Sequence, residues 1–132
     1  MGQPAAKQGD RVQGVDIHIT LVPSASGTTP VPLPYMFNGI IDGGLSQDVT
    51  IQGRAAATVN STATNTPAHI PMGNGFQTPP KNKATLTKGS ATVTINGKPA
   101  ARMGDTALTC NDPSDLPNGT VIAVSTVLIG GS

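Results

Sequence analysis

An internal repeat limits the fold more than any other feature of this chain. Sliding the sequence by 44 positions lays Val49-Thr50-Ile51-Gln52-Gly53-Arg54-Ala55-Ala56-Ala57 over Val93-Thr94-Ile95-Asn96-Gly97-Lys98-Pro99-Ala100-Ala101. Val, Thr, Ile, Gly and the last two alanines coincide, and Thr62-Ala63 then falls on Thr106-Ala107. A fixed period of this size means that one supersecondary unit is used more than once. In each copy a short strand runs into Gln-Gly or Asn-Gly and leaves through a basic residue followed by small ones. Asn96-Gly97 is a strong two-residue hairpin signal, because both central positions of a type I′ turn need positive φ. The two copies are therefore expected to be equivalent hairpins. The small residues after each turn leave room for strands to approach closely, as a narrow or tapering body requires.

The rest of the chain reads as all-β. Apolar residues do not recur at three and four over any long window, while period-two alternation marks strands at residues 15–21, 49–51, 91–95 and 121–129. The 132 residues amount to one domain, with 16 Gly and 12 Pro concentrated in the connections. Only Tyr35, Phe37 and Phe76 are aromatic. So thin an apolar supply calls for another source of stability, and the single Cys110 cannot form an internal disulfide. A metal ion or oligomer contacts are the remaining sources.

Charge excludes some functions. Eight Lys and Arg stand against seven Asp, with no block of like charge, so nothing is available to track a phosphate backbone and no nucleic-acid partner is expected. No run of 18 apolar residues suggests a membrane span, and the first residues carry neither a Sec-type signal nor a myristoylation pattern.

The side chains able to bind a soft metal are few. His18, His69 and Cys110 fall in different thirds of the chain, and His69 and Cys110 each follow one copy of the repeat. A pseudo-symmetric fold would send one ligand per copy to a common axis. His18 shares a strand face with Asp16 and Thr20, opposite Ile17, Ile19 and Leu21. Imidazole and thiolate suit Zn²⁺ or Fe²⁺, and a closed tetrahedral site would be structural. Asp16, Asp112 or water are open alternatives for the fourth position. An enzymatic alternative uses Cys110 as nucleophile with His18 or His69 as base, but no Gly-rich elbow surrounds Cys110 and no paired carboxylates suggest acid–base work. Gly43-Gly44 and Gly73-Asn74-Gly75 precede no helical pattern and read as turns.

At Lys98-Pro99-Ala100-Ala101-Arg102-Met103-Gly104-Asp105 the chain resembles the PAAR family, whose signature is Pro-Ala-Ala-Arg followed by an apolar residue and Gly-Asp. Residues 89–97 before it, ending in Asn96-Gly97, and the degenerate copy at Arg54 to Ala57 support the resemblance, which covers about residues 16–129. It implies a small cone of β-hairpins with pseudo-threefold symmetry, its base seated on a trimeric VgrG-like β-helical spike, one tip per trimer. Such proteins tip contractile injection machines, among them type VI secretion systems and phage-tail-like particles, and aid envelope piercing through transient contact with the target membrane. Family sites use three histidines and one cysteine with zinc or iron. Only His18, His69 and Cys110 carry over, so the resemblance implies one Zn or Fe ion on three protein ligands and an unidentified fourth.

Other expectations follow from the same reading. Residues 1–14 are expected to be a loose N-terminal arm and 15–132 the cone domain. Arg102 and Asp105 are spaced to pair across the turn after the hairpin. The Pro-rich stretch 29–35 and the loop 72–80 read as spacing around the base, or as flanks for effector cargo in an adaptor. No fused toxin domain is expected after the cone. Without a Sec signal, the protein is expected to assemble in the cytoplasm, with Cys110 reduced, before joining a secreted particle.

Overall fold

Gln52 and Gly53 have φ of 51° and 81°, and Asn96 and Gly97 have φ of 53° and 79°. Both repeat copies thus turn as type I′ hairpins, as their Gln-Gly and Asn-Gly pairs require. The structure is a computed structural model that describes residues 2–131, and these contain strands and no helix. In chain order the strands are β1 (Gln3–Pro4), β2 (Arg11–Ser24), β3 (Gly27–Gly43), β4 (Thr50–Ile51), β5 (Arg54–Ala55) and β6 (Thr62–Asn65). There follow β7 (Lys83–Leu86), β8 (Thr94–Ile95), β9 (Lys98–Pro99), β10 (Thr106–Thr109), β11 (Leu116–Ile122) and β12 (Leu128–Ile129).

Among the described residues the two-stranded ribbon occurs three times, twice as a hairpin. The pairs β4–β5 and β8–β9 are joined by a third ribbon in which β1 pairs with β12, placing Gln3 opposite Ile129 and Pro4 opposite Leu128. The segment after it, Pro4-Ala5-Ala6-Lys7-Gln8-Gly9-Asp10, repeats the spacing of Pro99-Ala100-Ala101-Arg102-Met103-Gly104-Asp105. Three alanines close the array: Ala6 N–H donates to Ala101 O, Ala101 N–H to Ala57 O and Ala57 N–H to Ala6 O, each at 3.0 Å. This ring leaves no space for a longer side chain, and all three alanines are fully buried. Ile51, Ile95 and Ile129 meet with Ala5, Ala56 and Ala100 in a small apolar cluster on the ribbon side of the ring.

Each copy then turns in the same way. Lys7 N–H donates to Asp10 Oδ2 at 3.0 Å, Thr58 N–H to Ser61 Oγ at 3.0 Å and Arg102 N–H to Asp105 Oδ2 at 2.7 Å. The left-handed position in these turns is filled by Gly9, Asn60 and Gly104, with φ of 91°, 78° and 88°. These are residue types that tolerate that region. The Arg102–Asp105 pair is not the solvated contact that surface charges usually make: both side chains are nearly buried, with Arg102 Nη2 2.9 Å from Asp105 Oδ1. The guanidinium also donates to the carbonyls of Gly130 and Gly131, tying the third ribbon to the β8–β9 copy.

From the turns the chain enters a closed antiparallel barrel of six strands in the order β10-β11-β2-β3-β6-β7. Closure removes exposed edges from this short-stranded body. Phe37, Ile41, Leu86, Val12 and Val121 fill it together with alanines, and Cys110 belongs to the same core.

Beyond the barrel, β2 and β3 continue as a two-stranded hairpin whose register runs unbroken from Arg11 opposite Ile40 to Ser24 opposite Gly27. Residues 29–35, expected as loop, are therefore strand. Pro30, Pro32 and Pro34 sit opposite Leu21, Ile19 and Ile17, whose amide and carbonyl groups bond away from β3. These are non-hydrogen-bonded pairs, so the prolines lack only donors that would have pointed outward, which suits an uncovered edge. Residues 2–14 are not the expected arm: Gln3–Pro4 pairs with β12, Ala5 and Ala6 are buried, and β2 starts at Arg11. The strand expected over 121–129 is broken after Ile122, because Val127 O must turn to accept Ala5 N–H, as Val49 O and Val93 O accept Ala56 and Ala100 N–H.

Replacing Arg102 by Met leaves Asp105 buried without its partner and should destabilise the fold by about 3–5 kcal/mol. The exposed Lys98→Ala should stay within about 0.5 kcal/mol of the parent. Equilibrium urea unfolding checks both.

Candidate metal centre

The strands that leave the three turns, β2, β6 and β10, all run away from the ribbons, and each delivers a ligand just past its last barrel residue. On β2, barrel pairing with β11 ends at Gln13, and Asp16 and His18 follow on one face. His69 lies four residues beyond β6, and Cys110 comes directly after β10. The structure thus brings His18, His69 and Cys110 together from the three copies and adds Asp16, with one donor atom of each within 4.8 Å of all the others.

The donors surround a common point. Asp16 Oδ2 lies 2.8 Å from His69 Nε2, 3.3 Å from Cys110 Sγ and 3.8 Å from His18 Nε2, and Cys110 Sγ lies 3.7 Å from His18 Nε2. A tetrahedral zinc-type site with metal–sulfur bonds of about 2.3 Å and metal–N/O bonds of about 2.0–2.1 Å separates its donors by about 3.3–3.6 Å. The residues present fit a divalent ion with small side-chain shifts. Two orphaned atoms point the same way: Asp16 Oδ1 and His18 Nδ1 are buried without a hydrogen-bond partner. His18 Nδ1 faces Asp112 Oδ2 at 3.5 Å, too far for a good hydrogen bond and close enough to become one when the ring is drawn to a metal.

The alternation of β2 is inverted relative to ordinary amphipathic strands. Asp16, His18 and Thr20 are at most 1% exposed, while Ile17, Ile19 and Leu21 are only half-buried. The polar face is the inner one because it meets Tyr35 and Phe76, while Phe37 meets His69 beside it. His18 stands 5.9 Å from Tyr35 and 5.7 Å from Phe76, and Phe37 stands 6.3 Å from His69. This wall covers the cluster on one side and gives His18 a fixed orientation. Its polar end is also satisfied, as the Tyr35 hydroxyl bonds Thr20 Oγ1 at 2.6 Å and accepts Met72 N–H at 3.1 Å.

Loops are pinned by three side chains, of which sequence reading singled out Asp112 alone, and as a possible ligand. Asn111 Oδ1 accepts Ile17 N–H at 2.6 Å, and Asp112 Oδ2 accepts Ile19 N–H at 2.8 Å. These replace a missing strand beside β2 and set Cys110 against His18. Asn82 Oδ1 accepts His69 N–H at 2.9 Å, fixing the loop that carries His69. Asp16 was one of three open choices for the fourth ligand, and Asp112 instead stands behind His18. For Asn82 and Asn111 no sequence signal exists, since their partners are backbone groups brought in by the tertiary fold.

Burial pushes the Cys110 thiol up to about 11, helped by the Asp16 carboxylate beside it, while the backbone amides of Asn82 and Lys83 pull weakly the other way. A thiol so held is protonated at neutral pH and only 1% exposed, the opposite of an activated nucleophile. A divalent ion reverses this, since it binds the thiolate and releases the proton. Asp16 and Cys110 would then supply two negative charges and His18 and His69 none, so the ion and its ligands together are neutral. That is the arrangement a buried site tolerates best.

The sequence profile of the PAAR motif matches the chain over residues 38–113 and again over residues 76–132. No curated protein matches it.

The raised thiol has a consequence for the metal-free protein. Between pH 9 and about 11 the unfolded chain loses the Cys110 proton and the folded chain keeps it, so stability falls as pH rises and levels off above the folded value. Urea unfolding of chelator-treated protein should show Cys110→Ser removing about 2–3 kcal/mol of that fall. Metal-loaded protein should lack the Cys110 contribution.

Proposed function

Because the chain belongs to the PAAR motif family, we propose that it is the non-enzymatic, metal-stabilised tip that caps the trimeric β-helical spike of a contractile injection machine. The observation that carries this reading is the threefold repetition of the ribbon end. Val49, Val93 and Val127 occupy equivalent positions, each accepting the N–H of the equivalent alanine, and all three are partly exposed. A single chain that offers three like apolar patches around one axis can meet three identical subunits at once. Leu128 enlarges the patch on one side.

The opposite end has the properties of a leading point. Residues 17–41 and 55–80 contain no Asp, Glu, Lys or Arg, so the projecting β2–β3 hairpin and the loop beside it bear no formal charge beyond the buried cluster. Charged side chains cost about 2.5–3.5 kcal/mol each at the centre of a bilayer, and the hairpin and this loop avoid that cost during passage through an envelope, the charges of Lys81, Asp112 and Asp115 being confined to the cleft behind them. The metal, in this reading zinc or iron, is held by Asp16, His18, His69 and Cys110 and acts as a clip. It closes long unfolded-state loops and adds its binding free energy to folding, so the hairpin and its two loops resist separation under load. The protonated, buried thiol of the metal-free form favours this reading over a thiol-dependent enzyme.

Co-expression with the trimeric spike of the same machine should give a complex of one tip per trimer, read as mass by light scattering. The double variant Val49→Asp, Val93→Asp should lose the complex while keeping its metal content and melting temperature. A complex of three tips per trimer, or one indifferent to these valines, would contradict the assignment of the ribbon end as the base.

A further inference from the structure

A metal held by four side chains that are all nearly inaccessible needs a way in, and the structure shows a polar one. A cleft of about 550 Å³ lies between the segment Thr78 to Lys81 and the segment Asn111 to Asp115, and both His18 and Cys110 line its floor. The approach from the side of His69 differs, being a smaller hollow of about 320 Å³ walled by Tyr35, Met36, Pro67 and Ile70. A hydrated divalent ion is drawn by carboxylates and repelled by an apolar wall.

The cleft carries two carboxylates in depth. Asp115 stands at the mouth, bonded to the Lys81 ammonium at 2.8 Å, with both side chains well exposed. Asp112 stands further in, its side chain largely buried, with Oδ2 3.5 Å from His18 Nδ1. An ion entering here meets Asp115 and then Asp112 before it reaches the thiol and the imidazole. Lys81 opposes it twice, by its own charge and by occupying Asp115. The pair bridges the two walls, since Lys81 belongs to one segment and Asp115 to the other.

We propose that the metal is loaded and released through this cleft, with Asp112 as the relay carboxylate and the Lys81–Asp115 pair as the outer latch. The proposal rests on the metal-clip reading, and it adds a route that the ligand set alone does not specify. The partner is a hydrated divalent cation, and the cleft sets the rate of its exchange without setting the final stoichiometry.

Exchange kinetics on the full chain test it. Metal-free protein is mixed with Co²⁺ or Zn²⁺ to measure loading, and loaded protein is mixed with a chromogenic chelator to measure release. Lys81→Ala should accelerate both several-fold at unchanged stoichiometry, and Asp112→Asn, which keeps an oxygen for Ile19 N–H, should slow loading by roughly tenfold. Lys98→Ala removes the same charge far from the cleft and should match the parent. A change of route moves loading and release together, whereas a change of affinity moves release alone. Parental rates in both cleft variants, or altered release with unaltered loading, would overturn the route while leaving the metal site standing. A parent protein that takes up no metal would overturn the clip itself.

Discussion

Asp16 and Cys110 are in contact inside the protein, and every other part of the far end is arranged around that contact. A carboxylate and a potential thiolate at 3.3 Å with almost no exposure cannot both be charged unless a cation lies between them. Two imidazoles complete the cluster, and Tyr35 and Phe76 stand against His18 while Phe37, from the barrel core, stands against His69. The hairpin reaches past the barrel and is held by hydrogen bonds to the segment 74–77 and to Asn111 and Asp112, and the cluster joins it to the loops that carry His69 and Cys110. The same logic explains why the inner face of β2 is polar.

At the opposite end the constraint is steric. The ring formed by Ala6, Ala57 and Ala101 can close only if three backbones come within hydrogen-bonding distance of one axis, and side chains larger than a methyl group would prevent it. The alanines of the repeat are thus the condition for threefold closure. The basic residue that follows serves the same end: Arg102 reaches back to the carbonyls of Gly130 and Gly131, and Lys7 bonds Asp10 in the equivalent turn. One ring of backbone bonds and one cluster of possible ligands organise the two ends, and the closed barrel joins them.

Much of this was legible in the residues. The 44-residue period announced equivalent hairpins, and Asn-Gly and Gln-Gly named their turn type. The scarcity of soft ligands isolated His18, His69 and Cys110. The third copy escaped because its incoming strand, β12, comes from the far end of the chain, so no contiguous period reveals it; yet Pro4-Ala5-Ala6-Lys7-Gln8-Gly9-Asp10 carries the full spacing. The proline stretch was misread because three prolines usually exclude a strand, whereas at alternate positions of an edge they remove only outward donors. The fourth ligand could not be chosen, since Asp16 and Asp112 differ only in which reaches the sulfur, and that depends on the path of the loop after β10.

The account stands on one ion joining three segments through Asp16, His18, His69 and Cys110. X-ray absorption at the metal edge of the purified protein tests this most directly. One sulfur at about 2.3 Å and three nitrogen or oxygen neighbours at about 2.0–2.1 Å, with the sulfur shell lost in Cys110→Ser, is the result expected. A six-coordinate shell of oxygen and nitrogen without sulfur would contradict the clip at its centre.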